Sequence, residues 1–275
     1  MKLKAQDKQD YDIIILAGQS NAVGNGLGES ENSWKERDDV YMLDNDYDKG
    51  YKRPTPQEVY IDIKGHEECY THIAKEKGAD EKTGNFYLTF AGLYADKYLE
   101  KGRKVLIVNT PIGGTGFKGG HWGQNDYIYN RMLEMVDISL AMNKNNRVVC
   151  VLWHQGEHDA YENRDLTYDQ IRDYYSKNFN ELFGSIRSRY GLDKPFICAG
   201  FTPSFVELYK MPSEAVLSVL KEKMQTENLT RFIDTSDLMA NDKIGRRDPY
   251  HFCKVSLEVL GKRYFDAYED IISKK

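Results

Sequence analysis

Ser20 follows a short apolar run, Ile13-Ile14-Ile15-Leu16, and a turn-permitting Ala17-Gly18-Gln19. A hydroxyl at that place would sit at the carboxyl end of a strand beside backbone N–H groups, where open α/β sheets hold ligands and where an oxyanion meets ready donors. Ser20 and Asn21 also read as an ordinary helix cap. Far along the chain, Asp248-Pro249-Tyr250-His251 puts a carboxylate and an imidazole three residues apart on a turn stiffened by proline. Such a carboxylate accepts from Nδ1–H, fixes the tautomer and leaves Nε2 free to take a proton from a hydroxyl. Alone, this tetrapeptide is also a plain turn that begins a helix. Taken together, Ser20, Asp248 and His251 are the residue types of nucleophilic catalysis by a serine.

Donors for a developing oxyanion are also present. The N–H of Ser20 is one. Gly113 and Gly114, in a glycine-rich turn, offer others because no Cβ blocks close approach, and the side-chain amide of Gln155 is a further candidate. Asn21 and Glu157 are expected to hydrogen-bond around the nucleophile's turn and hold its geometry, since His251 already supplies the base. Gly113-Gly114-Thr115-Gly116 lacks the lysine and the spacing of a phosphate-binding P-loop.

These groups need elements to carry them. Apolar runs at 13–16, 40–43, 105–108, 148–153, 196–200 and 231–234 read as strands. Helical spacing appears at 88–101, stopped by Gly102, and at 127–142 and 168–190, the last stopped by Gly191. It appears again at 213–227, with Ser213 as cap, and at 253–272. Strands alternating with helices imply right-handed βαβ crossovers and a doubly wound, mainly parallel sheet with helices on both faces. Each candidate stretch then follows a strand or precedes the last helix, so all converge on one edge. The segment 44–85, rich in tyrosine and broken by Pro54, Pro56, Gly65, Gly78 and Gly84, reads as an irregular excursion over that edge.

The chain of 275 residues, with 40% hydrophobic residues and a net charge of −5, fits one large α/β domain spanning 1–275. No basic stripe suits nucleic acid, and no apolar run approaches a membrane span. Residues 1–7 lack the apolar stretch of a secretion signal, so the expectation is a cytoplasmic protein, or one exported with its leader removed. The four cysteines, Cys69, Cys150, Cys198 and Cys253, are far apart and form no metal-like spacing. Buried free thiols are expected, and neither a metal nor a cofactor.

Gly18-Gln19-Ser20-Asn21, Gly113-Gly114-Thr115, Trp153-His154-Gln155-Gly156-Glu157 and Asp248-x-x-His251-Phe252 together resemble the motif set of the SGNH-type hydrolases. Within that superfamily they are most similar to the carbohydrate acetylesterase branch of sialate O-acetylesterase-like proteins and family 6 carbohydrate esterases. The resemblance implies a three-layer αβα, flavodoxin-like fold with a five-stranded central sheet. It also implies release of acetate from a small or oligomeric O-acetylated sugar through an acetyl-enzyme. Ser20 would be the nucleophile, His251 the base and Asp248 its orienting acid; Ser20, Gly113 or Gly114, and Gln155 would form the oxyanion hole.

Two features depart from the pattern. Gly123-Gln124-Asn125-Asp126 matches a donor block of the wider superfamily but precedes a helix, and is read as accidental. His158 stands where relatives carry a small residue; it either lines the acyl or sugar pocket or sits at the surface, and the surface is expected. Trp34, Trp122, His121 and the tyrosines of 47–70 are candidates to stack on a sugar. The rival readings are a catalytically silent carbohydrate-binding protein on the same fold, and a flavodoxin-like cofactor binder using the first loop for phosphate.

Overall fold

The structure, a computed structural model, describes residues 1–4, 8–45, 68–76 and 83–274. Its strands are β1 (Lys2–Leu3), β2 (Tyr11–Gly18), β3 (Val40–Asn45), β4 (Glu68–Ile73), β5 (Lys104–Asn109), β6 (Arg147–His154), β7 (Phe196–Ala199) and β8 (Thr230–Ile233). The helices are α1 (Ser20–Val23), α2 (Phe86–Tyr98), α3 (Tyr127–Ala141), α4 (Glu157–Glu162), α5 (Tyr168–Tyr190), α6 (Pro203–Leu208), α7 (Lys210–Thr226) and α8 (Lys254–Ile272).

The strands form one sheet in the order β1-β4-β3-β5-β2-β6-β7-β8. Only β4, beside β3, runs antiparallel to its neighbour. Strand β2 lies between β5 (Ile13 opposite Leu106) and β6 (Ile15 opposite Val151), parallel to both. All its residues are buried. Because successive side chains point to opposite faces, Ile13, Ile15 and Ala17 join the core under α3, α5 and α7, whereas Ile14 and Leu16 join the core under α2 and α8. Two covered faces explain why this strand reads as a continuous apolar run without alternation.

The mixed α/β architecture agrees with the expected class, but the sheet is wider, with eight strands instead of five. Six of the eight match the apolar runs read from the sequence, and the remaining pair, at one edge, is β1 and β4. Strand β4, second from the edge between β3 and the two-residue β1, falls inside the stretch expected to be an irregular excursion; its burial is partial and mixed, which leaves no periodic signal. Residues 46–67 and 77–82 of that stretch, with most of its tyrosines, lie outside the described residues.

Other boundaries also moved. Helix α2 ends at Tyr98, with Leu99 already extended, and Gly102 (φ 89°) serves the turn into β5. Ser213 caps nothing. Helix α7 already begins at Lys210, directly after α6, and Pro212 lies in its first turn, where a missing N–H costs no helical bond. Helix α6 takes its cap from Thr202, whose hydroxyl accepts from Phe205 N–H at 3.1 Å, and α5 begins in a Thr167–Gln170 capping box. All four cysteines are buried free thiols. Among the described residues no helix is long and apolar enough to cross a membrane.

The amino end of β2 is fixed ionically. Asp12 is fully buried and accepts from Arg103 Nε at 2.8 Å, Arg147 Nε at 2.7 Å and the Tyr94 hydroxyl at 2.8 Å. It thereby ties β2 to the residues that open β5 and β6 and to α2. Removing the charge takes one partner from Arg103, which still donates to the Tyr11 and Asn145 carbonyls. It also takes one from Arg147, which is 45% exposed and still paired with Glu100. The cost falls between that of a surface and a buried pair, about 1–3 kcal/mol. Urea unfolding of Asp12→Ala is therefore expected to show a stability loss of about that size with an unchanged m-value. A loss below about 1 kcal/mol would mean that the two arginines are satisfied without it.

Candidate active site

Strand β2 ends at Gly18, whose φ of 135° favours glycine. A Cβ there would fall 2.0 Å from the His154 carbonyl oxygen of β6. Glycine thus lets the tips of the two central strands meet while the chain turns out of the sheet. The next residue, Gln19, is the N-cap of α1 and makes no side-chain cap bond. Neither Ser20 nor Asn21 is the cap, contrary to the plain reading of the sequence. The Ser20 hydroxyl has no hydrogen-bond partner among the described residues. Ser20 lines a cavity of about 790 Å³ together with Gly113, Gly114, Glu157, Asp248 and His251.

The loop before α8 carries the imidazole. His251 Nδ1 and Asp248 Oδ2 are 2.8 Å apart, and Asp248 Oδ1 accepts from the N–H groups of Tyr250 (3.1 Å) and His251 (3.3 Å). With Nδ1–H given to the carboxylate, Nε2 is the ring's basic nitrogen. Burial alone would raise the Asp248 carboxyl, but hydrogen bonds from His251 and Asn241 outweigh it and hold the group down at about 2. Asn241 escaped the sequence reading. It is fully buried, donates through Nδ2 to Asp248 Oδ2 at 2.8 Å and to the Asn25 carbonyl at 3.1 Å, and accepts from Leu27 N–H at 3.0 Å. No sequence signal marks it, because an isolated asparagine in a loop has many ordinary uses.

Asn21 joins the two halves. Its Nδ2 donates to Glu157 Oε1 at 2.8 Å and to the Tyr250 carbonyl at 3.1 Å, while its Oδ1 accepts from Phe252 N–H at 3.1 Å. The residues on either side of His251 are thus bonded to the residue after Ser20. Glu157 is buried, and burial would raise its carboxyl, yet His154 (Nε2 at 3.6 Å) and Asn21 lower it below the usual range. No hydrogen bond joins Ser20 to His251. Such contacts often tighten only when substrate is bound.

The Gly113-Gly114 turn lies against the serine. A Cβ on Gly113 would be 3.6 Å from Ser20 Cβ, and Gly114 (φ 71°) faces open space. The N–H groups of Ser20, Gly113 and Gly114 have no acceptor among the described residues.

Gln155 is not brought to the cavity. It is fully buried, its Nε2 donates to Asp159 Oδ2 at 2.6 Å, and its Oε1 accepts from the Tyr175 hydroxyl at 3.1 Å. Its amide instead holds Asp159, which accepts from Phe117 and Lys118 N–H (3.0 and 2.7 Å) and so pins the glycine-rich loop to α4. Burial pushes Asp159 up to about 6. Gln19, adjacent to the serine, accepts from His158 N–H at 3.1 Å and ties the serine's turn to the start of α4.

The remaining candidates divide. Asn125 does not line the cavity; it belongs to the turn before α3, where Asp126 accepts from Gly123 N–H at 2.7 Å. Trp122 is buried against Trp153 and lies in the core, as its edge contact at 5.2 Å shows. Trp34 donates to the Ala74 carbonyl, away from the cavity. His158, expected at the surface, lines the cavity beside His121, with ring centroids 5.8 Å apart. Burial lowers both rings below the usual imidazole range. Tyr161 and Tyr250 also line it. Among the described residues, no group of three or more His, Cys, Asp or Glu is placed to hold a metal ion.

Comparison with known proteins accords with this arrangement. Among solved structures, NanS is similar over 98% of this chain and 100% of its own, with a TM-score of 0.73 at 16% identity. A protein of Arabidopsis thaliana matches over 95% and 98% of the two chains, with a TM-score of 0.64 at 18% identity. A carbohydrate acetylesterase of Xanthomonas citri matches over 96% of this chain and 57% of its own, with a TM-score of 0.58 at 16% identity. These likenesses show a shared mixed α/β fold. No curated protein matches the chain significantly by sequence. The sequence pattern of the carbohydrate esterase, sialic acid-specific acetylesterase family matches residues 10–270. The chain belongs to that family and is a carboxylic ester hydrolase acting on O-acetyl esters.

Proposed function

We propose that the protein removes acetyl groups from a saccharide through an acetyl-enzyme on Ser20. The observation that carries this reading is that Ser20, the Asp248-bound His251 and the Gly113-Gly114 turn all open onto one cavity. Ser20 Oγ attacks the acetyl carbonyl carbon as its proton passes to His251 Nε2. The carbonyl oxygen becomes an oxyanion facing the N–H groups of Ser20 and Gly113, with Gly114 beside them. Collapse breaks the bond to the sugar oxygen, which leaves with the proton from His251. A water molecule then enters, gives a proton to His251 and attacks the acetyl carbon. Acetate departs, and the proton returns to Ser20. Asp248 remains a carboxylate throughout and holds the imidazolium formed at each step.

Ser20→Ala is expected to lower kcat for an acetylated saccharide by roughly 10⁴ or more, and to abolish labelling of the protein by an organophosphonate in intact-mass spectra. Wild-type turnover by that variant would end the proposal. Asp248→Asn should cost kcat about 10⁴, since the imidazole loses the partner that fixes its tautomer.

A pH test follows from the same carboxylate. Its folded value lies below the 3.8 of the free side chain, so its stabilisation is full above about pH 4 and is lost as pH falls toward about 2. The gap in Tm between wild type and Asp248→Asn should therefore stay constant from about pH 5 upward and close below about pH 4. A gap that instead widens on acidification contradicts the assignment.

Asn21→Ala should lower kcat by about 10–100-fold with little change in KM. The variant loses the link between the serine's turn and the His251 loop without removing any reacting atom. An equal loss in Ala substitutions of distant buried asparagines would reduce this to general destabilisation.

A further inference from the structure

With Gln155 turned away from the cavity, a second carboxamide remains beside the serine. Gln19 lines the cavity and is only 5% exposed. Its Oε1 accepts from His158 N–H at 3.1 Å, Gly156 N–H at 3.4 Å and Gln155 Nε2 at 3.3 Å. An amide nitrogen could not take that place, because it carries two protons and would face three donors. The network therefore fixes which end of the amide is which.

The other end is open. Gln19 Nε2 makes no hydrogen bond among the described residues, and it is not one of the polar atoms sealed from solvent. In a residue so nearly buried, the surface that Nε2 keeps is cavity surface. Gln19 is also the N-cap residue of α1, yet its side chain gives no cap bond, being committed to the start of α4 instead. A donor held on one side and open on the other meets an acceptor with little reorganisation.

Its place relative to the serine follows from the same bonds. Gln155 Nε2 lies 3.3 Å from both Gln19 Oε1 and the Thr115 carbonyl oxygen, so the Gln19 carboxamide is within one amide's span of the glycine-rich turn. Gly113 of that turn packs against Ser20, where a Cβ on it would fall 3.6 Å from Ser20 Cβ. We propose that Gln19 Nε2 is a third oxyanion donor, in the role that the motif suggests for Gln155, while Gln155 holds Gln19 in place. As the acyl oxygen gains charge it accepts from Ser20 N–H, Gly113 N–H and Gln19 Nε2–H together. The inference rests on the esterase reading above and adds a catalytic residue to it.

The test uses phenyl acetate and phenyl thionoacetate, which differ in one atom, C=O against C=S, with released phenol measured for both. Sulfur accepts hydrogen bonds poorly, so oxyanion donors favour the oxo ester. Gln19→Glu keeps an oxygen for the three donors and puts an acceptor where the NH₂ was; Gln19→Met keeps the length with neither. Both are expected to lower kcat for phenyl acetate by roughly 10²–10³, to change KM by less than about threefold, and to shrink the preference for the oxo ester by about tenfold or more. Equal losses on the two esters, or none, overturn the assignment, since a side chain that only braces α4 would slow both alike. A crystal structure of the wild type carrying an organophosphonate on Ser20 requires no variant to fold. Its phosphonyl oxygen is expected about 2.7–3.1 Å from Gln19 Nε2, and a separation beyond about 4 Å overturns the assignment. If Ser20→Ala hydrolyses phenyl acetate as the wild type does, the esterase route itself falls. If that variant is inactive while the Gln19 variants keep the wild-type oxo preference, only the role of Gln19 falls.

Discussion

A single carboxamide holds together what the chain keeps furthest apart. Asn21 bonds to Phe252 across 231 positions, to the Tyr250 carbonyl and to Glu157. It lies fully buried, where an amide left unpaired costs roughly 1–3 kcal/mol. Each of those bonds is therefore obligatory once the site closes, and three separate segments are drawn into register by the stereochemistry of one side chain. The result is a serine and an imidazole that line one cavity with no hydrogen bond between them.

Around that link, the site is built mainly from neutral amides. Gln19, Asn21, Gln155 and Asn241 each satisfy several backbone or carboxylate groups. Amides donate and accept at once, so they can join a loop carbonyl to a carboxylate or an N–H to a carbonyl with no net charge to desolvate. The buried carboxylates Glu157 and Asp159 and the half-buried Asp248 each receive donors aimed at a stated oxygen. At the opposite end of the sheet the solution differs. There Asp12 and its arginines form an ionic cluster. Rigid polar bonding at both ends leaves the strands between them free to be almost wholly apolar.

Much of this was legible in the sequence because it rests on local rules. The β-branched run of β2, the helical spacing of α3, α5 and α8, and the placement of motifs at strand ends each follow from periodicity and from turn residues. What was not legible depends on contacts made at a distance. Strand β4 lies one place in from the sheet edge with mixed burial, so its pattern resembles a loop. Gln155 looks like an available donor until Asp159 and Tyr175 are seen to occupy its amide. His158 resembles a surface residue until α4 turns it into the cleft, and Asn241 becomes visible only through the carboxylate it holds. Spacing tells where a residue sits along its element; it does not tell which partners have already claimed it.

The span between Ser20 and His251 also sets an order of events in the life of each molecule. During synthesis Ser20, the proposed nucleophile, emerges long before His251, its proposed base. Contacts of such high sequence separation form late, after the loop entropy between them has been overcome. The nascent sheet is thus built around a hydroxyl that stays chemically idle until α8 docks and brings its preceding loop home. On the mechanism proposed above, hydrolytic competence is a certificate that folding has finished.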